Sequence, residues 1–192
     1  MPSVSYIEWS TRAIAALDET ESAHRSVGGT GPGRRYATQQ INQAYAVLLS
    51  SQFQKFCRDL HTECVKRLAP SITPAAFQTT LSTLLIQDRK LDRGNPNPGN
   101  VGSDFDRLGI RFWPEVNKIH RRNPSRQALL DELNAWRNAI AHQDFAGLAT
   151  AGTMSLTLRQ VRRWRRACAA LAVAFDAVMY SHILRLTGMP PW

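Results

Sequence analysis

Arg137, Asn138 and His142 are the residues whose types and spacing suit phosphate chemistry, within the run Leu133-Asn134-Ala135-Trp136-Arg137-Asn138-Ala139-Ile140-Ala141-His142. An arginine keeps its charge at any working pH and donates hydrogen bonds in a fork. A histidine takes or gives a proton near neutrality. On a helix, this stretch puts Leu129, Leu133, Trp136 and Ile140 on one apolar stripe and Asn134, Asn138 and His142 on a second, polar one. Arg137 falls at the edge of the apolar face, where a charge is costly to desolvate unless it meets a partner or an anion. The same residues also admit a structural reading, with the histidine capping carbonyls and the arginine paired with a carboxylate such as Asp131. The helix is expected to stop just after His142, with Gly147 suited to its C-terminal cap.

The string Arg137 to His142, preceded by Leu133 and Trp136 in helical register, resembles the signature of the HEPN superfamily. Those all-helical domains carry an arginine, a following polar residue and a histidine at the end of one helix. The segment Leu48 to Leu60 is similar to the long helix that precedes the signature in many members, although many carry a glutamate where this chain has Gln54. The resemblance covers roughly residues 36–187 in helix order, and its specific part is Arg137 to His142. It implies a metal-independent ribonuclease acting as a homodimer in which two signature helices build one site. It further implies a toxin or antiviral-defence role, with a cognate antitoxin or defence-system protein as a second partner. Other members are inactive, so a non-catalytic module that binds nucleic acid or a partner protein stays open.

Cleaving RNA without a metal requires the ribose 2′-hydroxyl to lose a proton as it attacks phosphorus and the leaving 5′-oxygen to gain one. By that logic His142 is the general base or acid, Arg137 stabilises the charged phosphorane, and Asn138 orients His142 or the phosphate. One histidine per chain serves poorly as both base and acid, and a two-fold dimer supplies the second. The products would be a 2′,3′-cyclic phosphate and a 5′-hydroxyl, with no cofactor and no metal site expected.

The net charge of +9 and pI near 10.2 favour a polyanionic partner such as RNA. Most of the excess is arginine, since only Lys55, Lys66, Lys90 and Lys118 are lysines. Arg121, Arg122 and Arg126 make a basic cluster just before the signature helix, and Arg159, Arg162, Arg163 and Arg166 line one side of the last helical run. Both sets suit backbone phosphates, and both also fit ordinary solvated faces. Cys57, Cys64 and Cys168 are odd in number and lack close-spaced partners, which argues against a disulfide scaffold or a zinc site. Cys57 and Cys64 read as one buried stripe, and His61 as structural or solvent-facing. The beginning of the chain does not read as a signal peptide, and the apolar stretch 167–178 is too short to cross a bilayer. A cytoplasmic protein without a membrane contact is expected.

The elements that must position these residues are helical. Residues 3–26 read as a first helix capped by Ser3 or Ser5, with Ile7, Ala13, Ile14 and Leu17 on its apolar face and Asp18, Glu19 and Glu21 as an acidic patch. The glycine-rich stretch 28–33 reads as a linker without the Gly-Lys-Ser/Thr of a phosphate loop. Residues 36–69 make a long spine ended by Pro70, and Pro74 opens a third helix running through Leu81, Leu84, Leu85 and Leu91 to Arg93. The stretch 94–100 reads as an exposed loop, and 104–122 as a broken helix packed by Phe105, Leu108, Phe112, Trp113 and Ile119. A last helix runs from Ser155 or Thr157 to Thr187, burying Val161, Trp164, Cys168, Leu171, Ala172, Phe175 and Met179. The fold expected is all-α: one domain over residues 1–192, a bundle of about five helices with one broken connecting helix and the signature helix at about 125–143.

Overall fold

Ser3 opens the first element by accepting the Tyr6 N–H at 3.0 Å, the usual work of an N-cap serine. The computed structural model describes residues 1–27, 35–148 and 155–192, and the fold is all-α, with no strand among the described residues. The expected linker 28–33 lies outside them. α1 (Val4–Glu8) passes through a wider π-helical turn (Trp9–Ala13) into α2 (Ile14–Val27). Four residues of regular helix overshoot a full turn by about 40°. The wider turn limits that drift and helps keep Ser5, Trp9, Ala13, Leu17 and Glu21 on one buried line. Ile7, expected on that face, is exposed.

α3 (Arg35–Leu68) is the expected spine, with Tyr45, Leu49, Phe53, Phe56, Cys57, Leu60 and Cys64 buried. α1 and α2 together run antiparallel to it: Glu8 of α1 meets Lys55 and Glu21 of α2 meets Tyr45. The third helix is not continuous. α4 (Gln78–Ile86) ends at a turn where Asp88 takes a left-handed φ of 54°, and α5 (Lys90–Arg93) follows. Leu91 is buried, whereas Leu81 and Leu84 lie exposed with Phe77 on the outer side of α4. α6 (Pro98–Asp106) and α7 (Phe112–Ile119) divide the expected broken helix, and Ile119 stays exposed. α8 (Asn123–His142) carries Arg137, Asn138 and His142, and α9 (Leu158–Thr187) is capped by Thr157 and ended by Gly188 at a φ of 71°. There are thus more helical segments than the five or so expected, because each turn residue that leaves helical φ and ψ ends a segment.

The predicted inner face of α9 is buried throughout. Phe175 sits among Phe53, Phe56, Phe105, Phe112 and Trp113, so one ring joins α3, α6, α7 and α9. Cys57, Cys64 and Cys168 are free thiols inside this core. The whole of α9, rather than only 167–178, is long and apolar enough by length and composition to cross a membrane, and 61% of its most apolar window is buried within the protein. Trp192 folds back on Tyr180 of the same chain, with ring centroids 6.1 Å apart.

A buried polar cluster ties the 88–106 segment to α3. The Asp104 carboxylate accepts the Lys90 and Leu91 N–H groups at 2.9 and 2.8 Å. Arg89 grips Asp92 with two nitrogens and donates to Thr62 Oγ1 at 2.8 Å. His61, fully buried, places Nε2 3.0 Å from the Asp104 carbonyl and Nδ1 3.4 Å from Arg89 Nη1. With a donor facing each nitrogen's lone-pair side only at Nδ1, the neutral ring carries its proton on Nε2. Burial first, and the Arg89 charge second, push its pKa down to about 4. A histidine depressed in the folded state adds stability that is complete above its ordinary pKa and is lost as pH falls toward the folded value. Urea unfolding is therefore expected to show wild-type stability dropping between pH 6.5 and 4 by roughly 3 kcal/mol more than that of His61→Gln. Parallel pH profiles for the two proteins would contradict this.

Candidate functional site on α8

Asn123 anchors the start of α8, donating from Nδ2 to the Val116 carbonyl at 2.6 Å while Pro124 occupies the first turn. The helix ends after His142, as expected, but Gly147 is not the cap. Gln143 takes the left-handed conformation at φ 53° and ψ 29°. Its N–H reaches the Ile140 carbonyl at 3.4 Å, and the Asp144 N–H reaches Ala139 at 3.1 Å, the paired bonds of a Schellman cap. Gln143 Nε2 adds a bond to Ile140 O at 2.7 Å, so local hydrogen bonding makes up for the absence of glycine.

Leu130, Leu133 and Trp136 are buried on the inner side, with Leu129 and Ile140 half-buried. Trp136 packs on Trp164 and Phe145. Glu132 accepts from Trp164 Nε1 at 3.2 Å and also from Gln160 Nε2, which locks α8 to the start of α9. The expected polar stripe divides in two. Asn134 is 1% exposed and belongs to the core, accepting from Ser50 at 2.9 Å and donating to Leu130 O at 2.8 Å. Asn138 and His142 are exposed, and Arg137 is half-buried beside them.

Arg137 has no carboxylate in ion-pairing reach among the described residues, Asp131 included. Among the described residues its one hydrogen bond runs from Nη1 to Asn138 Oδ1 at 3.2 Å. The same oxygen accepts from Asn95 Nδ2 at 2.8 Å. Asn95 comes from the stretch expected to be an exposed loop, yet it is 7% exposed, and Pro96 is also buried. Gln54 makes this packing possible, since its Nε2 donates to the Leu91 and Gly94 carbonyls at 2.6 and 2.7 Å. A glutamate at position 54 would face two carbonyl oxygens with no proton to give. A Cβ at Gly94 would sit 2.7 Å from Asn100 Nδ2, so a larger residue there would displace that amide from the Asn95 carbonyl. Sequence periodicity carries no sign of Asn95, because its partner lies 43 positions away.

The basic residues separate into free and committed ones. Arg121 and Arg122 are exposed, and Arg126 donates to Asn123 Oδ1 at 2.8 Å. On α9, Arg159, Arg163 and Arg166 are exposed and have no ion pair among the described residues. Arg162 does not belong to that free stripe. It holds Glu21 of α2 through Nη2 at 2.6 Å and Nε at 3.0 Å, and its neighbour Arg165 reaches Asp18 at 2.7 Å. The Arg162 hydrogen bond is the main reason that the buried Glu21 carboxyl is held down to about 2. Arg162→Ala is expected to cost about 1–3 kcal/mol in urea unfolding, because Glu21 loses its best partner. Arg163→Ala should leave stability within about 0.5 kcal/mol of wild type. The reverse pattern would mean that the Arg162–Glu21 pair does not help to hold α2 to α9.

Fold and site together define an all-α protein carrying an uncommitted arginine, a tethered asparagine and an exposed histidine at the end of one helix. No protein-family model, curated protein or solved structure matches this chain. Among the described residues, no three His, Cys, Asp or Glu side chains are grouped to hold a metal ion.

Proposed function

We propose that this chain is a metal-independent endoribonuclease of the HEPN type, acting in the cytoplasm as a homodimer in toxin or antiviral defence. The observation that carries the reading is Arg137: a half-buried guanidinium on the same helix as the exposed His142, with no carboxylate to neutralise it among the described residues. Such a charge favours an anion, and a phosphodiester places its oxygens where the free N–H groups point outward. His142 transfers the proton of the 2′-hydroxyl or of the leaving 5′-oxygen, Arg137 holds the phosphorane charge, and Asn138 orients the phosphate. A two-fold partner brings the second histidine. Arg121, Arg122, Arg126, Arg159, Arg163 and Arg166 extend the contact along the RNA backbone, and an antitoxin or defence-system protein would regulate access.

The test is RNA cleavage by the purified protein in EDTA, with product ends analysed. Cyclic-phosphate ends support the reading, and cleavage that needs added magnesium refutes it. A second reading, a non-catalytic module binding nucleic acid or a partner protein, is favoured by Gln54, whose amide is spent on the 91–94 carbonyls and supplies no acid or base. That reading expects salt-sensitive RNA binding that survives His142→Ala and no cleavage by any variant.

A further inference from the structure

The orientation of the Asn138 amide is decided by a relay that begins at a backbone N–H. The Asn97 N–H donates to Asn95 Oδ1 at 3.2 Å, and Asn97 Nδ2 donates to the same oxygen at 2.9 Å. A backbone N–H can only donate, so the Asn95 atom facing it is the oxygen and its Nδ2 must face the other way. That Nδ2 meets Asn138 at 2.8 Å, so the Asn138 atom it meets is the oxygen. Arg137 Nη1, also a donor without exception, meets that oxygen at 3.2 Å and agrees with the assignment. The loop itself is held from three sides. Asn97 Oδ1 accepts the Asn100 N–H at 2.8 Å, Asn100 Nδ2 donates to Asn95 O at 2.8 Å, and Gln54 holds the Gly94 carbonyl.

With Asn138 Oδ1 occupied twice, its Nδ2 projects from the exposed side of α8 with no partner among the described residues. The geometry points to Asn95 as a positioning residue that keeps this amide donor outward beside the free guanidinium N–H groups of Arg137. Together they form a clamp of donors for the two non-bridging oxygens of a phosphodiester. This inference rests on the ribonuclease reading and assigns the 94–100 loop its part in it. Without Asn95, only the longer 3.2 Å contact from Arg137 holds the Asn138 oxygen, and the amide donor is no longer fixed outward. Arg137 also loses the fixed acceptor that aims it.

The probe is a fluorescent 2′-O-methyl RNA oligonucleotide, whose 2′-oxygen has no proton to lose and which therefore binds without being cut. Binding is measured by anisotropy for wild type, Arg137→Ala, Asn95→Ala, Asn138→Ala and the Asn95→Ala/Asn138→Ala pair, with thermal unfolding of each. Arg137→Ala is expected to weaken binding by more than about tenfold, and Asn95→Ala and Asn138→Ala by about fivefold each. The double variant should bind no worse than Asn138→Ala, because Asn95 acts only through that amide. Asn138→Asp keeps an acceptor for Asn95 and Arg137 but turns the outward donor into an acceptor, and should weaken binding at least as much as Asn138→Ala. If Asn95→Ala unfolds the loop, Asn95→Ser keeps an oxygen for the Asn97 N–H, is too short to reach Asn138, and should give the same loss. A fivefold cost of the Asn95 change in both backgrounds would make its role merely structural and overturn the inference, leaving the ribonuclease reading intact if Arg137→Ala still loses binding. Unchanged binding by Arg137→Ala would instead overturn the reading and the clamp with it.

Discussion

Under the proposed ribonuclease reading, His142→Ala is expected to lose RNA cleavage in EDTA by about a thousandfold, and Arg137→Ala by about a hundred- to a thousandfold, with both proteins folded. The two losses have different causes. Without His142, no group on α8 carries the proton between the 2′-hydroxyl or the 5′-oxygen and water. Without Arg137, the phosphorane charge develops against the neutral Asn138 amide alone. Neither side chain contributes much to folding: His142 is exposed, and among the described residues Arg137 makes a single 3.2 Å hydrogen bond to its neighbour. Unfolding free energies should therefore stay within about 0.5 kcal/mol of wild type, which separates lost chemistry from lost structure. The wild type should leave 2′,3′-cyclic phosphate and 5′-hydroxyl ends. Equal cleavage by all three proteins would assign the activity to another site or a contaminant, and the proposed roles would fall. Silence from all three would favour the binding module.

Phe175→Ala should cost about 3–5 kcal/mol in urea unfolding, among the larger losses expected from a single core change. The ring packs 4.7 Å from Phe112 and 5.5 Å from Trp113 by centroids, and 5.8 and 6.2 Å from Phe53 and Phe105. Its loss opens a cavity where four helices meet, and rigid neighbouring rings cannot collapse into it. Phe175→Leu should recover most of the loss and remain within about 1.5 kcal/mol of wild type, because it keeps most of the volume. A Phe175→Ala protein as stable as wild type would show that this aromatic cluster does not hold α9 to the rest of the bundle. RNA cleavage by Phe175→Ala well below its melting temperature should survive, since the ring touches none of the site residues.

Much of the helical layout was legible because helix periodicity is local. The three- and four-residue spacings of Tyr45, Leu49, Phe53, Phe56 and Leu60, and of Val161, Trp164, Cys168, Leu171 and Phe175, are those of buried faces in the folded protein. Thr157 and Gly188 mark the ends of α9 because capping needs only neighbouring backbone. Local rules failed where a distant partner or an unusual turn took over. Gly147 looked like the cap of α8, but Gln143 closes it through bonds to Ile140 and Ala139. Residues 94–100 have the composition of an exposed loop, yet Gln54, from another helix, draws them inward.

The amino-acid sequence by itself determined that the chain is helical, that α8 ends at His142, and that Arg137, Asn138 and His142 share the last turns of that helix. These follow from side-chain spacing and capping, which act over a few residues. Only the tertiary structure decided which of the polar residues are free to act. Arg162 is tied to a glutamate 141 positions away, Asn134 is drawn into the core by Ser50 from 84 positions away, and Asn138 is turned outward by Asn95 from 43 positions away. Hydrogen bonding is a pairwise matter, and periodicity says where a side chain points but not what it meets.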